Sequence, residues 1–410
     1  MNTRQIVSTL GSLSRKWLGR DFSYRRKAVS KLVRGSGFSK KMAEAMLDAL
    51  FSELTASKLW RLLKTELSDP SVLDGFARDV RNARLVHAKG PNTILHVFSA
   101  NIPGAAVASF VLGLLAKSRN VGKLSRRDAG VLKIYLDSLR SHAPALARHC
   151  VLIPGVDRRR TAAWAARAGL VVAYGHNESL EEVRKLVPAK TPFIGYGHRV
   201  SIALVLEEAL RPKKARLLAR KMALDVWMAD QRGCLSPVLV FVQKGGALRA
   251  EAFAEQVAEE LERLEKSERS RPRRALRDWI SMRKLRDRVR LAALRGGNGR
   301  AWKSASGLWM VGYDERPDAE FSAGSQIIRV KGFSKLNDLE PAFQKMKGSL
   351  QAVSLECAQA HRRKIAEWLG LFGANRICRA GKLQHPPITW HHDGKLNLAS
   401  WLEWVDLEII

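Results

Sequence analysis

The sequence predicts an α/β protein with a helical N-terminal region and a parallel sheet. Three observations carry this. Before about residue 88 apolar residues recur at three- and four-residue intervals. From residue 93 short β-branched runs alternate with helical stretches. Glycines stand at the exits of those runs.

The elements follow in order. "KMAEAMLDALFSELTASKLWRLLKTEL" typifies the helical spacing of residues 1 to about 88. "TILHVFSA" (Thr93 to Ala100) reads as a buried strand ended by "NIPG", and "AAVASFVLGLLAKSR" as the apolar helix after it. "CVLIPG" is a second strand, "TAAWAARAG" a helix closing at Gly169, "LVVAYG" a third strand, "SLEEVRKLV" a helix and "RVSIALVL" a fourth strand. Ser179 and Glu182 have capping-box spacing, which predicts a helix start just after the third strand. After residue 222 come a helix, a turn holding Cys234, the strand "PVLVFVQ", a long helical region, mixed elements and a Trp-rich tail. The expected regions are therefore 1–90 (helical), 91–210 (cofactor-binding), 211–380 (catalytic, with the cysteine) and 381–410 (C-terminal segment).

Apolar residues make up 46% and charged residues 27% of the 410, the composition of a soluble globular protein. The run "AAVASFVLGLLA" is too short to span a bilayer, and "MNTRQIVSTLGSLSRKW" lacks the apolar core of a secretory signal. Cys150, Cys234, Cys357 and Cys378 form no C-x-x-C pair, which predicts a reducing cytoplasm and no structural metal. The formal charge of +32 raises nucleic-acid binding as a function class. No zinc-finger or RNA-recognition pattern accompanies it, although a helix-turn-helix among the N-terminal helices stays open. The cations concentrate in "RPKKARLLARK" and "RSRPRRALRDWISMRKLRDRVRLAALR", whose apolar spacing is helical. They read as solvated helix faces or as a surface for an anionic partner.

Ligands of open parallel sheets bind beyond the carboxyl ends of the strands. The first such exit carries Asn101, then Pro103 and Gly104; the third carries "GHNESLEE" after Gly175. Singly, each is an ordinary turn, and no G-x-G-x-x-G is present.

Four segments in order, "LHVFSANIPG", "VGKLSRRD", "FIGYGHRVSIALV" and "DQRGCLSPVLVFV", resemble the LuxC-type acyl-CoA reductases of the aldehyde dehydrogenase superfamily. The resemblance covers residues 90 to 245 and continues more loosely to "GKLQHPPITWHHDG". It implies an aldehyde-dehydrogenase-like fold, with a Rossmann-like cofactor domain and an α/β catalytic domain. It makes Cys234 the nucleophile toward an acyl-CoA or acyl-carrier thioester. A thiolate attacks thioesters well, and the resulting acyl-enzyme accepts hydride. A turn near helix N–H groups would favour the thiolate, and Arg232 would add positive charge. Asn101, with the backbone N–H of Cys234, would form the oxyanion hole.

Lys123 takes the superfamily position that binds the adenosine ribose. Ser125, Arg126 and Arg127 follow it, and the two arginines suit a ribose 2′-phosphate. The resemblance thus implies NADPH, with NADH as the alternative, and Gly155 and Gly175 close to the cofactor. One departure matters. Where hydrolytic relatives carry Glu-Leu-Gly-Gly, this chain reads "FIGYGHRVS", without the Glu that activates water. That favours thioester reduction over aldehyde oxidation to free acid. Glu320, in "AEFSAGSQIIRV", matches too loosely to take the role of a second superfamily glutamate. His198 reads as structural ahead of a base, and "WHHDG" as an Asp-Gly turn ahead of a metal cluster. Expected partners are the acyl-CoA or acyl-carrier substrate, a further copy, or an acyl-activating or acyl-transferring enzyme. The competing class is a basic nucleic-acid or membrane-surface binder on an inactive scaffold.

Overall fold

Four helices open the chain, Thr3–Leu18, Ser23–Ser36, Lys40–Glu53 and Ala56–Leu67. They are seen in a computed structural model that describes residues 1–79, 84–99, 103–125, 130–153, 157–268, 276–294, 298–320 and 326–408. Asn2 and Gln5 form a reciprocal capping box at the first helix. Buried Trp17 stacks on Phe51 at 4.5 Å and donates its indole N–H to Ser138 Oγ at 3.0 Å. The helical pattern ends earlier than the sequence predicts. A 3₁₀ turn leads to β1 (Ala77–Arg78) and β2 (Leu85–Lys89). In β2 only Val86 and Ala88 are buried, an alternation too short to stand out from the helical spacing before it.

Residues 1–35, 43–198 and 387–410 make one unit, and residues 36–42 and 199–386 the other. The first unit contains an all-parallel sheet of β3 (Thr93–Val97), β4 (Arg119–Lys123), β5 (Cys150–Ile153), β6 (Leu170–Tyr174) and β7 (Phe193–Tyr196). Its order is β5-β4-β3-β6-β7. The chain steps outward from β3 to β5 and then returns to the other side of β3. This places the switch point at the carboxyl ends of β3 and β6.

Two of these strands, β4 and β7, are not among those predicted. In β4 the sequence "RNVGK" hides a fully buried Asn120. Its Oδ1 meets His96 Nε2 of β3 at 2.9 Å, and its amide donates to the Ser118 carbonyl at 3.0 Å. Gly113 of the helix Pro103–Leu115 makes the room, since a Cβ there would lie 1.8 Å from Asn120 Oδ1. Burial pushes His96 down to about 4, which keeps its ring neutral in this network. The helix Asn177–Arg184 begins after β6 as expected, but its N-cap is His176. Ser179 lies inside the first turn, so the Ser179–Glu182 box does not form; Glu182 pairs with Lys185 at 2.8 Å instead.

The second unit contains β8 (Val200–Val205), β9 (Pro237–Gln243), β10 (Arg300–Lys303), β11 (Met310–Asp314), β12 (Ile327–Phe333), β13 (Leu350–Glu356) and β14 (Arg376–Cys378). They pair in the order β10-β11-β12-β9-β8-β13-β14, parallel except at β10. The predicted fourth strand is β8. It does not extend the first sheet but lies between β9 and β13, buried along its whole length, which is why all but Ser201 of the run is apolar. Phe343 packs between Phe241, Trp368 and Phe372 beneath this sheet. The chain then returns to the first unit, where β15 (Glu403–Leu407) pairs antiparallel with β2. There the buried Glu66 carboxylate accepts the N–H groups of Asn397, Leu398 and Ala399 at 2.8, 2.7 and 2.9 Å.

Candidate active site

Cys234 lies in the second unit, between the helix Pro212–Trp227 and β9. A 3₁₀ turn, Met228–Gln231, precedes it, and three successive residues there are left-handed: Ala229, Asp230 and Gln231, with φ of 52°, 54° and 53°. None is glycine, and each costs roughly 1–2 kcal/mol in this region. Buried hydrogen bonds hold the turn. Gln231 Nε2 donates to the carbonyls of Pro237 (2.7 Å) and Ile327 (3.0 Å), and its Oε1 accepts the Ile327 N–H at 2.8 Å. One side chain thus ties the turn to the starts of β9 and β12.

Arg232 does not offer a free charge. Its Nε and Nη2 both donate to Asp230 Oδ2 (3.1 and 2.8 Å), and it lies over the Phe38 ring at 5.4 Å. Cys234 is half-buried, and its carbonyl accepts from Ser201 Oγ of β8 at 2.6 Å. From Cys234 the chain runs into a strand, so the segment that carries the thiol supplies no helix N-terminus. Behind the turn, Gln384 Nε2 donates to Ser236 Oγ (2.7 Å) and to the Asp225 carbonyl (3.1 Å), while Asp225 Oδ2 accepts the Gly381 N–H at 2.6 Å. Burial pushes the Asp225 carboxyl up to about 7.

The other cysteines are placed against reactivity. Burial pushes the Cys150 thiol up to about 12 and Cys378 to about 11, and raises Cys357 as well. Ser201, Asp225, Gln231 and Gln384 were not singled out from the sequence. Ser201, Gln231 and Gln384 do fall inside segments that carry the resemblance, and that was the available signal.

In the first unit the parallel register brings Lys123 and Gly175, two of the expected cofactor residues, to one edge. Lys123 ends β4, opposite Val97 of β3 and Ile153 of β5. It is half-buried, as is Ser125, and its carbonyl accepts the Phe98 N–H at 3.0 Å. Gly175 follows β6 at the same edge and donates its N–H to the Tyr196 carbonyl at 3.1 Å. Asn101, Arg126, Arg127 and Gly155 lie outside the described residues. His198 is exposed beside His176, the ring centroids 6.3 Å apart. The C-terminal segment supplies something the sequence did not show. Tyr174, Tyr196, His392 and Trp390 stack in succession at 4.8, 4.1 and 4.9 Å and cap the β6–β7 end of this edge. Asp393 and Gly394 turn the "WHHDG" segment with φ of 52° and 75°, between the bridged His392 and Lys395.

A family model described as acyl-CoA reductase (LuxC) matches residues 1–404. The chain belongs to the LuxC acyl-CoA reductase family. Within it, this LuxC-family chain is 24% identical over 242 residues to the long-chain acyl-protein thioester reductase of Aliivibrio fischeri. That match covers 58% of this chain and 49% of the relative, about half its length. The long-chain acyl-protein thioester reductase 2 of Photobacterium leiognathi is 22% identical over 424 residues, covering 100% of this chain and 83% of that one. Among solved structures, an oxidoreductase from Marinobacter aquaeolei superposes with a TM-score of 0.73 at 13% identity, over 99% of this chain and 86% of the other. A NAD-dependent benzaldehyde dehydrogenase from Corynebacterium glutamicum gives 0.68 at 14% identity, over 99% and 86%. The LuxC-family chain therefore has the aldehyde dehydrogenase fold.

Proposed function

We propose that this chain reduces a long-chain acyl thioester, on CoA or on an acyl-carrier protein, to the aldehyde through an acyl-enzyme on Cys234. The observation that carries this is the cysteine turn. A half-buried thiol stands at the end of a strained, hydrogen-bonded turn in a chain of this family, while the other three thiols are pushed up by burial.

The Cys234 thiolate adds to the thioester carbonyl, and the donor's thiol leaves with the proton. By the family resemblance, Asn101 and the Cys234 N–H would hold the oxyanion, an interaction of the kind that lowers barriers by about 3–4 kcal/mol. The carboxyl edge of the first sheet fits a dinucleotide: it lies at a topological switch point, and Lys123 stands half-buried one strand from the β3 exit. Lys123, Ser125, Gly155 and Gly175 would hold the cofactor there, and Arg126 and Arg127 would favour NADPH over NADH. When bound, the reduced nicotinamide supplies the hydride that the acyl-enzyme carbonyl accepts. The thiohemiacetal then collapses, and Cys234 departs as thiolate as the aldehyde forms.

Cys234→Ala tests the assignment. Incubated with labelled acyl-CoA and then denatured, the native chain retains hydroxylamine-labile label and the variant none. Equal labelling of both would move the chemistry to another residue. Titration of NADPH against NADH reads the cofactor preference.

A further inference from the structure

The helix Leu276–Leu294 in the second unit is apolar on two opposite faces. On one, Met282 and Leu285 pack with Met310 and Ile327. At 3.6 residues per turn, Leu276, Ile280, Leu291 and Leu294 fall within about 60° of one another on the other side. All four are exposed, Leu276 at 75% and Leu294 at 84%, and Trp279 flanks them, half exposed. Arg283 and Asp287, paired at 3.8 Å, interrupt the stripe midway. A solvated helix keeps such a face polar.

The local charge narrows the occupant. The helix Leu276–Leu294 itself holds five arginines and one lysine against two aspartates. A second copy would bring the same excess of cations to the contact. Nucleic acid would neutralise the cations but gain nothing from the leucines. An anionic lipid surface takes both, with apolar side chains entering the acyl boundary and arginines staying at the headgroups. We infer that this helix docks the protein on anionic bilayer surfaces, lying in the interface. None of the helices among the described residues is long and apolar enough to cross one.

The inference goes beyond the reductase proposal and is tested apart from it. The purified full chain is floated with vesicles of phosphatidylcholine, alone or mixed with phosphatidylglycerol. Wild type and Cys234→Ala both rise with the anionic vesicles. The triple variant Leu276→Ser, Leu291→Ser, Leu294→Ser keeps every charge, yet loses roughly tenfold or more in vesicle affinity. Its thermal unfolding and its turnover of a water-soluble acyl-CoA stay at the wild-type level. Equal flotation of the triple variant would overturn the inference, because binding would then be charge alone. So would a wild type that ignores the vesicles while binding duplex DNA or an acidic carrier protein.

Discussion

Cys234 owes its setting to side chains that do no chemistry themselves. Gln231 satisfies three buried backbone groups with one amide. Gln231→Leu keeps the volume but leaves those groups without their partner. We expect a loss of about 2–4 kcal/mol in urea unfolding, together with slower acylation. Asp225 makes stability depend on pH. Its carboxyl titrates near 3.8 when unfolded and at about 7 when folded, so the native state binds the extra proton between those values. Stability contributed by the protonated form is complete below the unfolded value and is lost as pH rises toward 7, by up to about 4 kcal/mol. Asp225→Asn should flatten that decline, as read by unfolding midpoints from pH 4 to pH 8.

At the level of elements, the turn before the cysteine and the strand β4 show where sequence patterns stop being readable. The left-handed run Ala229–Gln231 contains neither glycine nor asparagine, the usual markers of positive φ, because tertiary hydrogen bonds impose it. Ala229→Gly relieves part of the strain. Where Ala→Gly in a helix costs about 1 kcal/mol, here we expect a gain of about 0.5–1 kcal/mol by chemical denaturation, and slower acylation as the turn loosens. β4 went unread because its buried polar residue is satisfied from β3, across a sequence gap that no local window spans. β3, β6, β8 and β9 were legible because burial on both faces writes a run of apolar residues. The position of Cys234 was legible from its flanking motif. What holds it was not, since no local pattern shows that the hydroxyl of Ser201 reaches the Cys234 carbonyl 33 residues away.

Across the whole molecule, Cys234 belongs to one unit and the carboxyl edge of the five-stranded sheet to the other. The sequence between β7 and β8 offers no glutamate to activate water. A missing general base forfeits a typical 10²- to 10⁴-fold of rate. Acyl-CoA alone should therefore release a single burst of about one CoA per Cys234, stoichiometric with the acyl-enzyme. Adding NADPH should restart release and yield aldehyde. Continuous CoA release with free fatty acid, before any reductant is present, would contradict this and turn attention to His198.

The order in which the chain is made meets a constraint in the pairing of β15 with β2 and in the grip of Glu66 on residues 397–399. These contacts join positions more than 300 residues apart, as the 331-residue separation of Glu66 and Asn397 shows. A ribosome adding about 5–20 residues per second delivers the second partner many seconds after the first. Meanwhile the nascent first unit carries an unpaired β2 edge and a buried-to-be Glu66 without its donors. The second unit, whose sheet is complete by residue 378, can finish first although it begins later. Nascent chains arrested after β14 should therefore protect β8–β14 from protease while leaving the N-terminal segments open to it.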